Sequence, residues 1–263
     1  MKLEDALARA IEDAVGGEIV DSTSLAGGDI HRAFRVELRD RAPIFVKTSG
    51  DAPGDMFEAE ARGLEWLREA RALRLPEVLA HSGGGDTSPP FLALEFLEPG
   101  KRATDFDDAL GHALATLHRS GAPSFGLDHG NYIGRLPQDN RPAPSWAEFY
   151  VLRRLEPQLR RAVDSHRVSA FMKRSFALLF GRIEARVGDP EPPARLHGDL
   201  WGGNLHVGPR GEPCLIDPAV YGGHREMDLA MMKLFGGFSE RVFGAYRDTY
   251  PLGDGFEERV GLC

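Results

Sequence analysis

Cysteine is scarce in this chain, and long apolar runs are missing from it. Two cysteines, Cys214 and Cys263, occur among 263 residues, which is too few for a disulfide framework. No apolar run approaches the roughly 18 residues of a membrane-spanning helix. The opening stretch, MKLEDALARAIEDAV, has acidic residues where a secretory signal would be basic and then continuously apolar. We therefore expect a cytoplasmic protein with no membrane partner.

Basic residues are outnumbered by acidic ones. Lysine and arginine total 32 against 40 aspartates and glutamates, for a formal net charge of −8. Nucleic-acid-binding proteins normally present a basic face, so nucleic acid is not an expected partner. A phosphorylated small ligand stays compatible with this balance, because a local site can be positive inside an acidic protein.

The hydrophobic pattern separates a β-rich first part from a mainly helical second part. Strands are predicted over 18–25, 31–39, 42–48, 77–81 and 91–97. Helices are predicted over 1–15, 56–72, 105–119, 145–164, 168–187, 225–235 and 239–248. Pro157 is expected to kink or break the helix that contains it. We predict an α+β fold of two lobes, an N-lobe over 1–97 and a C-lobe over 98–263.

Three separated motifs together supply the set of groups that phosphoryl transfer requires. They are a glycine turn before a strand-end lysine (Gly27, Gly28, Lys47), the segment His197-Gly198-Asp199 with Asn204, and Asp217 after a short hairpin. Glycine lets backbone N–H groups approach phosphates without a Cβ in the way, and lysine supplies a positive charge. An aspartate accepts a hydrogen bond from the attacking hydroxyl, while asparagine and a second aspartate offer oxygen ligands to Mg²⁺. The motifs predict ATP and Mg²⁺ as cofactors.

These residues differ in how strongly they indicate chemistry. Asp199 is the predicted catalytic residue, and Asn204 and Asp217 are the predicted metal ligands. The alternative for these three is a loop of capping Asp and Asn side chains. Taken alone, Gly27 and Gly28 are more typical of a plain hairpin turn, and Lys47 alone is more typical of a solvated strand end.

Two further sets of residues are predicted to serve the nucleotide. Glu60 shares the apolar stripe of the first long helix and is favoured over Glu58 as the partner that holds Lys47. Glu95, Phe96 and Leu97 end the last strand of the first part, where a linker would present backbone groups to an adenine edge. The alternative for that segment is an edge strand without special function.

The motifs LHGDLWGGN and IDPAVYGGHREMDLAM resemble those of the fructosamine/ketosamine kinases, relatives of the aminoglycoside and choline kinases within the protein-kinase-like fold. Similar text extends over nearly the whole chain, including FVKT, MFEAEARGLEWL and FGLDHGNYIG. The resemblance implies ATP-dependent phosphorylation of the 3-hydroxyl of a ketosamine, after which the adduct falls apart and frees the amine.

The resemblance also implies roles for residues after the catalytic aspartate. Trp201 is expected to stack on the sugar, and His224 and Glu226 are expected to meet hydroxyl or amine groups of the substrate. Asp228 is expected to brace the catalytic loop. The ketosamine could be a small molecule or protein-bound, and the protein a monomer or a dimer.

Two departures from the family pattern are visible. Some members carry a redox-responsive cysteine in the glycine loop, but residues 26–31 here read AGGDIH, so that switch is not expected. The family usually continues past an EER segment into another helix, whereas this chain ends at Cys263, either truncated or naturally short.

Alternative functions remain open at this point. One is a kinase of another small alcohol, such as an aminoglycoside or choline. The other is a catalytically silent nucleotide-binding protein. Among the residues without a predicted active-site role, Arg154 is expected on a solvated helix face, His118 is expected to be satisfied or exposed, and Leu178 is expected in the core.

Overall fold

The computed structural model describes residues 3–25, 31–85 and 89–263. Its strands are β1 (Ile19–Leu25), β2 (Arg32–Leu38), β3 (Ile44–Thr48), β4 (Val78–Ser82), β5 (Phe91–Glu95), β6 (Asn131–Ile133), β7 (Leu136–Gln138), β8 (Ala194–Leu196), β9 (Leu205–Val207), β10 (Pro213–Leu215) and β11 (Tyr221–Gly223). Its α-helices are α1 (Asp5–Val15), α2 (Met56–Glu69), α3 (Phe106–Arg119), α4 (Trp146–Phe149), α5 (Glu156–Asp164), α6 (Ala170–Phe180), α7 (Glu226–Phe235), α8 (Glu240–Thr249) and α9 (Phe256–Arg259). Within these described ranges, no helix is long and apolar enough to cross a membrane.

The main sheet has five antiparallel strands in the order β1-β2-β3-β5-β4. Helix α1 contributes Leu7 and Ile11 to a buried cluster with Phe34 and Val46 from the sheet. The spacing of four between Leu7 and Ile11 puts both on one face of α1, which explains why this helix lies on the sheet. In β3, Lys47 pairs with Leu92 of β5 near the end of the strand.

The chain forms two compact units, each assembled from separate stretches. The first contains Met1–Phe106, Tyr132–Leu136 and Asn204–Ala219. The second contains Asp107–Asn131, Pro137–Gly203 and Val220–Cys263. The predicted lobes, 1–97 and 98–263, are therefore not the same sets of residues as these units. Two later segments, 132–136 from the middle of the chain and 204–219 from its last third, belong to the same unit as the sheet.

In the second unit, a two-stranded ladder sets the position of the catalytic motif. Strand β11 runs antiparallel to β8, with Tyr221 opposite Leu196 and Gly223 opposite Ala194. Leu196, His197 and Gly198 are buried, and the chain first becomes partly exposed at Asp199. Gly198 has φ +80°, a left-handed conformation that glycine adopts without steric cost, and it turns the chain toward Asp199.

The helix predicted over 145–164 is present but changes character along its length. Ser145 caps its start by accepting a hydrogen bond from the N–H of Glu148. A π-helical stretch, Tyr150–Leu155, then precedes α5. Pro157 lies in the first turn of α5, where its missing N–H is tolerated. The predicted interruption is thus a change of helix type before the proline.

One core prediction was wrong. Leu178 of α6 is 64% exposed, and no residue of α6 is buried. Leu179 of the same helix packs, partly buried, against the cluster that contains Trp146 and Phe149, so the stripe is covered only in part.

Helices α3 and α8 approach closely at Gly111. A Cβ on Gly111 would lie 2.3 Å from the carbonyl oxygen of Val242 and 2.9 Å from the backbone nitrogen of Tyr246. Gly111→Ala is therefore expected to destabilise the protein by about 1–3 kcal/mol, because neither backbone can yield easily. The matched control is Gly244→Ala on α8, where a Cβ would meet nothing within 4 Å. Urea unfolding should show the loss for Gly111→Ala only; equal stability of both variants would contradict the close approach.

Candidate active site

Lys47 is the centre of a buried charge cluster in the first unit. Its Nζ lies 2.5 Å from Glu60 Oε1 and 3.0 Å from Asp217 Oδ1. Lys47 is only 5% exposed, whereas the side chain of Asp217 is 48% exposed. The predicted pairing of Lys47 with Glu60 rather than Glu58 is present, and Glu58 is exposed. Helix α2 therefore fixes the lysine from one side while Asp217 presents a partly open carboxylate on the other.

Burial and charge act against each other in this cluster. Burial alone would lower the pKa of Lys47, but Asp217 and Glu60 outweigh it and hold this pKa above its ordinary value. Burial, with the nearby charge of Asp217, raises the pKa of Glu60 to about 7. One lysine cannot fully compensate two carboxylates away from water, and Glu60, the more buried of the two, takes up the proton more readily.

The raised pKa of Glu60 gives a testable pH dependence. Between its ordinary pKa and about 7, the folded protein holds a proton that the unfolded chain releases, so stability from this group falls as pH rises through that window. Without nucleotide, the unfolding free energy of the wild type should fall from pH 5 to pH 8 by on the order of 1 kcal/mol more than that of Glu60→Gln. Denaturant unfolding at several pH values measures both. Parallel pH profiles would contradict a protonated Glu60.

Asn204 and Asp217, the predicted metal ligands, are joined to each other in the first unit. Ile216 donates its N–H to the carbonyl of Asn204 (3.1 Å), and the Asn204 side-chain amide reaches the carbonyl of Asp217 at 3.4 Å. Asp217 has φ +53°, an uncommon conformation for a non-glycine residue that costs on the order of 1 kcal/mol and is often found at functional sites. Two adjacent oxygen ligands fit Mg²⁺, which needs few protein ligands when phosphates complete its coordination.

No larger metal site competes with this pair within the described ranges of the chain. There, no group of three or more His, Cys, Asp or Glu side chains could hold a metal ion. The assignment of Asn204 and Asp217 as ligands stays a prediction.

In the second unit, Asp228 holds the backbone before Asp199. Asp228 is 1% exposed. Its two carboxylate oxygens accept hydrogen bonds from the N–H of His197 (2.8 Å) and of Gly198 (2.9 Å). The Nδ1 of His197 in turn lies 3.3 Å from the N–H of Asp199. Asp228 therefore fixes the turn that presents Asp199, as expected for a brace.

Sequence reasoning missed a supporting residue of this brace. His118 at the end of α3 is buried, with Nε2 3.2 Å from Asp228 and Nδ1 2.8 Å from the hydroxyl of Tyr246. Burial alone would raise the pKa of Asp228, but the hydrogen bond from His118 and the bonds from the loop hold it below its ordinary value. The available signal was that His118 follows Leu114 by four residues and so shares its buried face.

Trp201 leaves its indole ring available beside the catalytic loop. Leu200 is fully buried, while Trp201 is 43% exposed. A Cβ on Gly203 would lie 2.2 Å from Cη2 of Trp201, so the ring lies directly against the backbone of this glycine. Any larger residue at 203 would displace the ring. The tryptophan–glycine combination thus holds an exposed aromatic surface of the kind that stacks on sugars.

The other two predicted substrate residues lie elsewhere in the second unit. His224 follows Gly223, whose partner is Ala194 at the start of β8, whereas Asp199 follows the end of β8. The ladder therefore sets His224 and Asp199 at opposite ends. Glu226 is only 2% exposed. Both of its carboxylate oxygens accept hydrogen bonds from Arg259, at 2.8 and 2.6 Å. Their contact with substrate stays a prediction.

The remaining predicted nucleotide residues are placed as follows. The N–H of Glu95 donates to the carbonyl of Glu77 (2.8 Å), and its carboxylate pairs with Arg74. The guanidinium of Arg35 lies 5.0 Å from the ring centroid of Phe96, and Leu97 is buried. Their part in adenine binding stays a prediction. The Gly27 and Gly28 prediction lies outside the described residues.

The known proteins that this chain resembles are kinases, which agrees with the geometry of the candidate site. Residues 3–262 match a family model described as Fructosamine kinase. Protein-ribulosamine 3-kinase, chloroplastic, of Arabidopsis thaliana is 35% identical over 249 residues, which cover 93% of this chain and 74% of that protein. A Thermobifida fusca protein solved under the name fructosamine-3-kinase has a TM-score of 0.87 and 37% identity, over 99% of this chain and 89% of that one.

A more distant likeness bears on the fold alone. Macrolide 2′-phosphotransferase type I has a TM-score of 0.65 at 14% identity, over 99% of this chain and 88% of that one. The predicted α+β fold of the protein-kinase-like type is confirmed by these structures.

Proposed function

The chain belongs to the fructosamine kinase family, and from this premise we propose that it transfers the γ-phosphate of ATP to the 3-hydroxyl of a ketosamine. A 3-phosphate makes the sugar–amine adduct unstable, so the reaction would free the amine and reverse glycation. The substrate is a small-molecule or protein-bound ketosamine. Two unpaired cysteines support a cytoplasmic location.

The observation that carries the proposal is the buried Lys47, held by Glu60 and Asp217. A fixed cation beside a half-exposed carboxylate fits an ATP phosphate chain with Mg²⁺. Lys47 offsets negative charge on the phosphates, and Asn204 and Asp217 would hold the metal ion. When bound, Mg²⁺ neutralises the charge that develops on the phosphate oxygens. We assign the adenine to the backbone of Glu95–Leu97.

We assign the activation of the sugar hydroxyl, which accepts the phosphate, to the loop that Asp228 braces. Asp199 orients the sugar hydroxyl and finally accepts its proton, a role that needs a carboxylate held in one position. The bonds from His197 and Gly198 to Asp228 supply that rigidity. Trp201 presents an exposed indole face on which the apolar face of a sugar can stack. We assign Trp201 to the sugar, and we also propose His224 and Glu226 as substrate contacts.

The experiment that tests this function is turnover with MgATP and fructosyl-lysine. The expected result is one ADP formed per sugar phosphate, identified by ³¹P NMR, followed by release of free lysine. Ribulosyl-lysine, an aminoglycoside and choline serve as competing acceptors. Faster phosphorylation of choline or the aminoglycoside would overturn the ketosamine assignment. ATP binding without turnover of any acceptor would instead support a silent nucleotide-binding protein.

A further inference from the structure

Helix α7 is joined to the catalytic loop at both of its ends. Near its start, Asp228 accepts hydrogen bonds from two backbone N–H groups just before Asp199. Directly after its end the chain touches the loop again, because a Cβ on Gly237 would lie 2.8 Å from the Cα of Gly202. Asp199 lies between these two contacts along the loop. A side chain presented at the end of α7 is therefore held close to the predicted proton acceptor.

Glycines on both sides make the second contact possible. Gly236 and Gly237 have φ +74° and +95°, left-handed conformations that favour glycine. A Cβ on Gly202 would lie 3.1 Å from the Cα of Gly237. Phe235 directly precedes this glycine pair, and Trp201 directly precedes Gly202. Because consecutive Cα atoms are only about 3.8 Å apart, the contact makes Phe235 and Trp201 neighbours in space.

Phe235 is exposed on the face of α7 that is directed at the catalytic loop. It is 69% exposed. Seven positions separate it from Asp228, which brings it back to within about 20° of the same helix face. Leu234 is 59% exposed as well, but it lies about 100° around the helix from Phe235. Exposed apolar residues are common singly, so the informative observation is the position of Phe235 beside Trp201, on the face of Asp228.

The structure of a ketosamine keeps its amine close to the reacting hydroxyl. The amine is attached to C1 of the sugar and the phosphorylated hydroxyl to C3, so only C2 lies between these carbons. A substrate whose 3-hydroxyl meets Asp199 must therefore send the carbon chain of its amine out next to the catalytic loop. With the sugar against Trp201, the neighbouring exposed ring of Phe235 offers that chain an apolar surface.

We propose that Phe235 is a specificity-determining residue that binds the carbon chain of the amine carried by the ketosamine. The inference rests on the proposed function, because it assumes that Asp199 and Trp201 position the sugar. It extends recognition from the sugar to the group attached to it. Packing the CH₂ groups of the chain against the ring removes apolar surface of both partners from water, so ketosamines with a long apolar chain become the better substrates.

The experiment compares two acceptors that share the sugar and the positive charge of the amine but differ in the chain. Fructosyl-hexylamine carries an apolar chain, whereas 1-amino-1-deoxyfructose carries none. In Phe235→Ala, kcat/KM for fructosyl-hexylamine is expected to fall about tenfold, which corresponds to about two buried CH₂ groups. The loss should lie mainly in KM, because the chain packs equally in the ground and transition states. Steady-state ADP release measures both constants.

The other acceptor and the conservative variant complete the test. For 1-amino-1-deoxyfructose, kcat/KM of Phe235→Ala should stay within about twofold of the wild type. Phe235→Leu keeps an apolar side chain and should recover most of the lost preference for the hexyl chain. Leu234→Ala is the matched control, because it removes an exposed apolar side chain from another face of the same helix. Phe171→Ala removes a similarly exposed ring from α6. Both controls should keep the wild-type ratio of the two acceptors.

The outcomes separate this inference from the proposed function. The same ratio of kcat/KM values in Phe235→Ala and the wild type would overturn the inference, as would an equal loss for both acceptors, which indicates a disturbed catalytic loop. Conversion of a dimer into a monomer by Phe235→Ala, with the ratio unchanged, would assign this face to a second copy of the chain instead. A wild type that phosphorylates neither acceptor contradicts the proposed function itself.

Discussion

Replacing Asp199 by alanine is expected to lower kcat with fructosyl-lysine about a thousandfold while ATP affinity stays within about twofold of the wild type. Asp199 is the predicted proton acceptor, so its loss removes an interaction that matters only as the hydroxyl attacks. The nucleotide contacts that we assign to Lys47, Asn204 and Asp217 are untouched by the change. Single-turnover kinetics for the chemistry and calorimetry for ATP binding measure the two effects separately.

Two further variants sharpen the test of Asp199. Asp199→Asn keeps the size of the side chain but cannot accept the proton, so it should be nearly as impaired as Asp199→Ala. Asp248→Ala, an exposed aspartate on α8, should turn over at the wild-type rate. Turnover near that of the wild type in Asp199→Asn would remove the assigned mechanism.

Replacing Asp228 is expected to have the largest effect on stability. Asp228→Ala leaves the N–H groups of His197 and Gly198 and the ring of His118 without their buried acceptor, at a cost of about 3–5 kcal/mol. Asp228→Asn retains one acceptor oxygen but turns an amide N–H group toward a backbone N–H, so about half of that loss or more should remain. Guanidinium unfolding gives the free energies, and amide exchange at His197 and Gly198 localises the effect.

The sign of the acid dependence follows from the lowered pKa of Asp228. A depressed carboxyl pKa stabilises the folded state above the unfolded value, near pH 4, and that stabilisation is lost as pH falls through the folded value. The wild type should therefore lose stability below about pH 4 more steeply than Asp228→Asn. Asp248→Ala is again the control, with an expected change within about 0.5 kcal/mol. An Asp228→Asn protein as stable as the wild type would show that the brace is dispensable.

The sequence predicted best where the evidence was local. Lys47, Glu60 and the positions of the five strands along the chain follow from period-2 and period-3.6 patterns within the first hundred residues. Glu60 could be separated from Glu58 because helical spacing alone decides which side chain shares a face with Leu64. The catalytic loop could be identified from the sequence because its chemistry requires particular residues at fixed spacing.

Contacts between residues far apart in the sequence could not be predicted in the same way. The composition around Arg154 suggested a solvated face, but its guanidinium bonds the side chain of Asn140 and lies 4.1 Å from the ring centroid of Tyr221. Arg154 was therefore wrongly predicted. Glu226 stays a proposed substrate contact, but the sequence did not show that Arg259, 33 residues later, bonds both of its oxygens. No periodic pattern reports a partner at such separations, because each charge looks the same in sequence whether it is paired or solvated.

The discontinuous make-up of the first unit has a consequence for biosynthesis. Lys47 meets Asp217 across 170 positions, and Leu215 donates its N–H to the carbonyl of Arg74. A ribosome adding about 5–20 residues per second needs on the order of ten seconds or more between making one partner and making the other. Throughout that interval the nascent sheet lacks β9, β10 and Asp217, and buried Lys47 has Glu60 as its only partner from this cluster. The emerging N-terminal segment should thus be the stage of synthesis that most needs protection by chaperones, and ribosome-bound chains stalled before and after residue 219 should differ sharply in protease resistance.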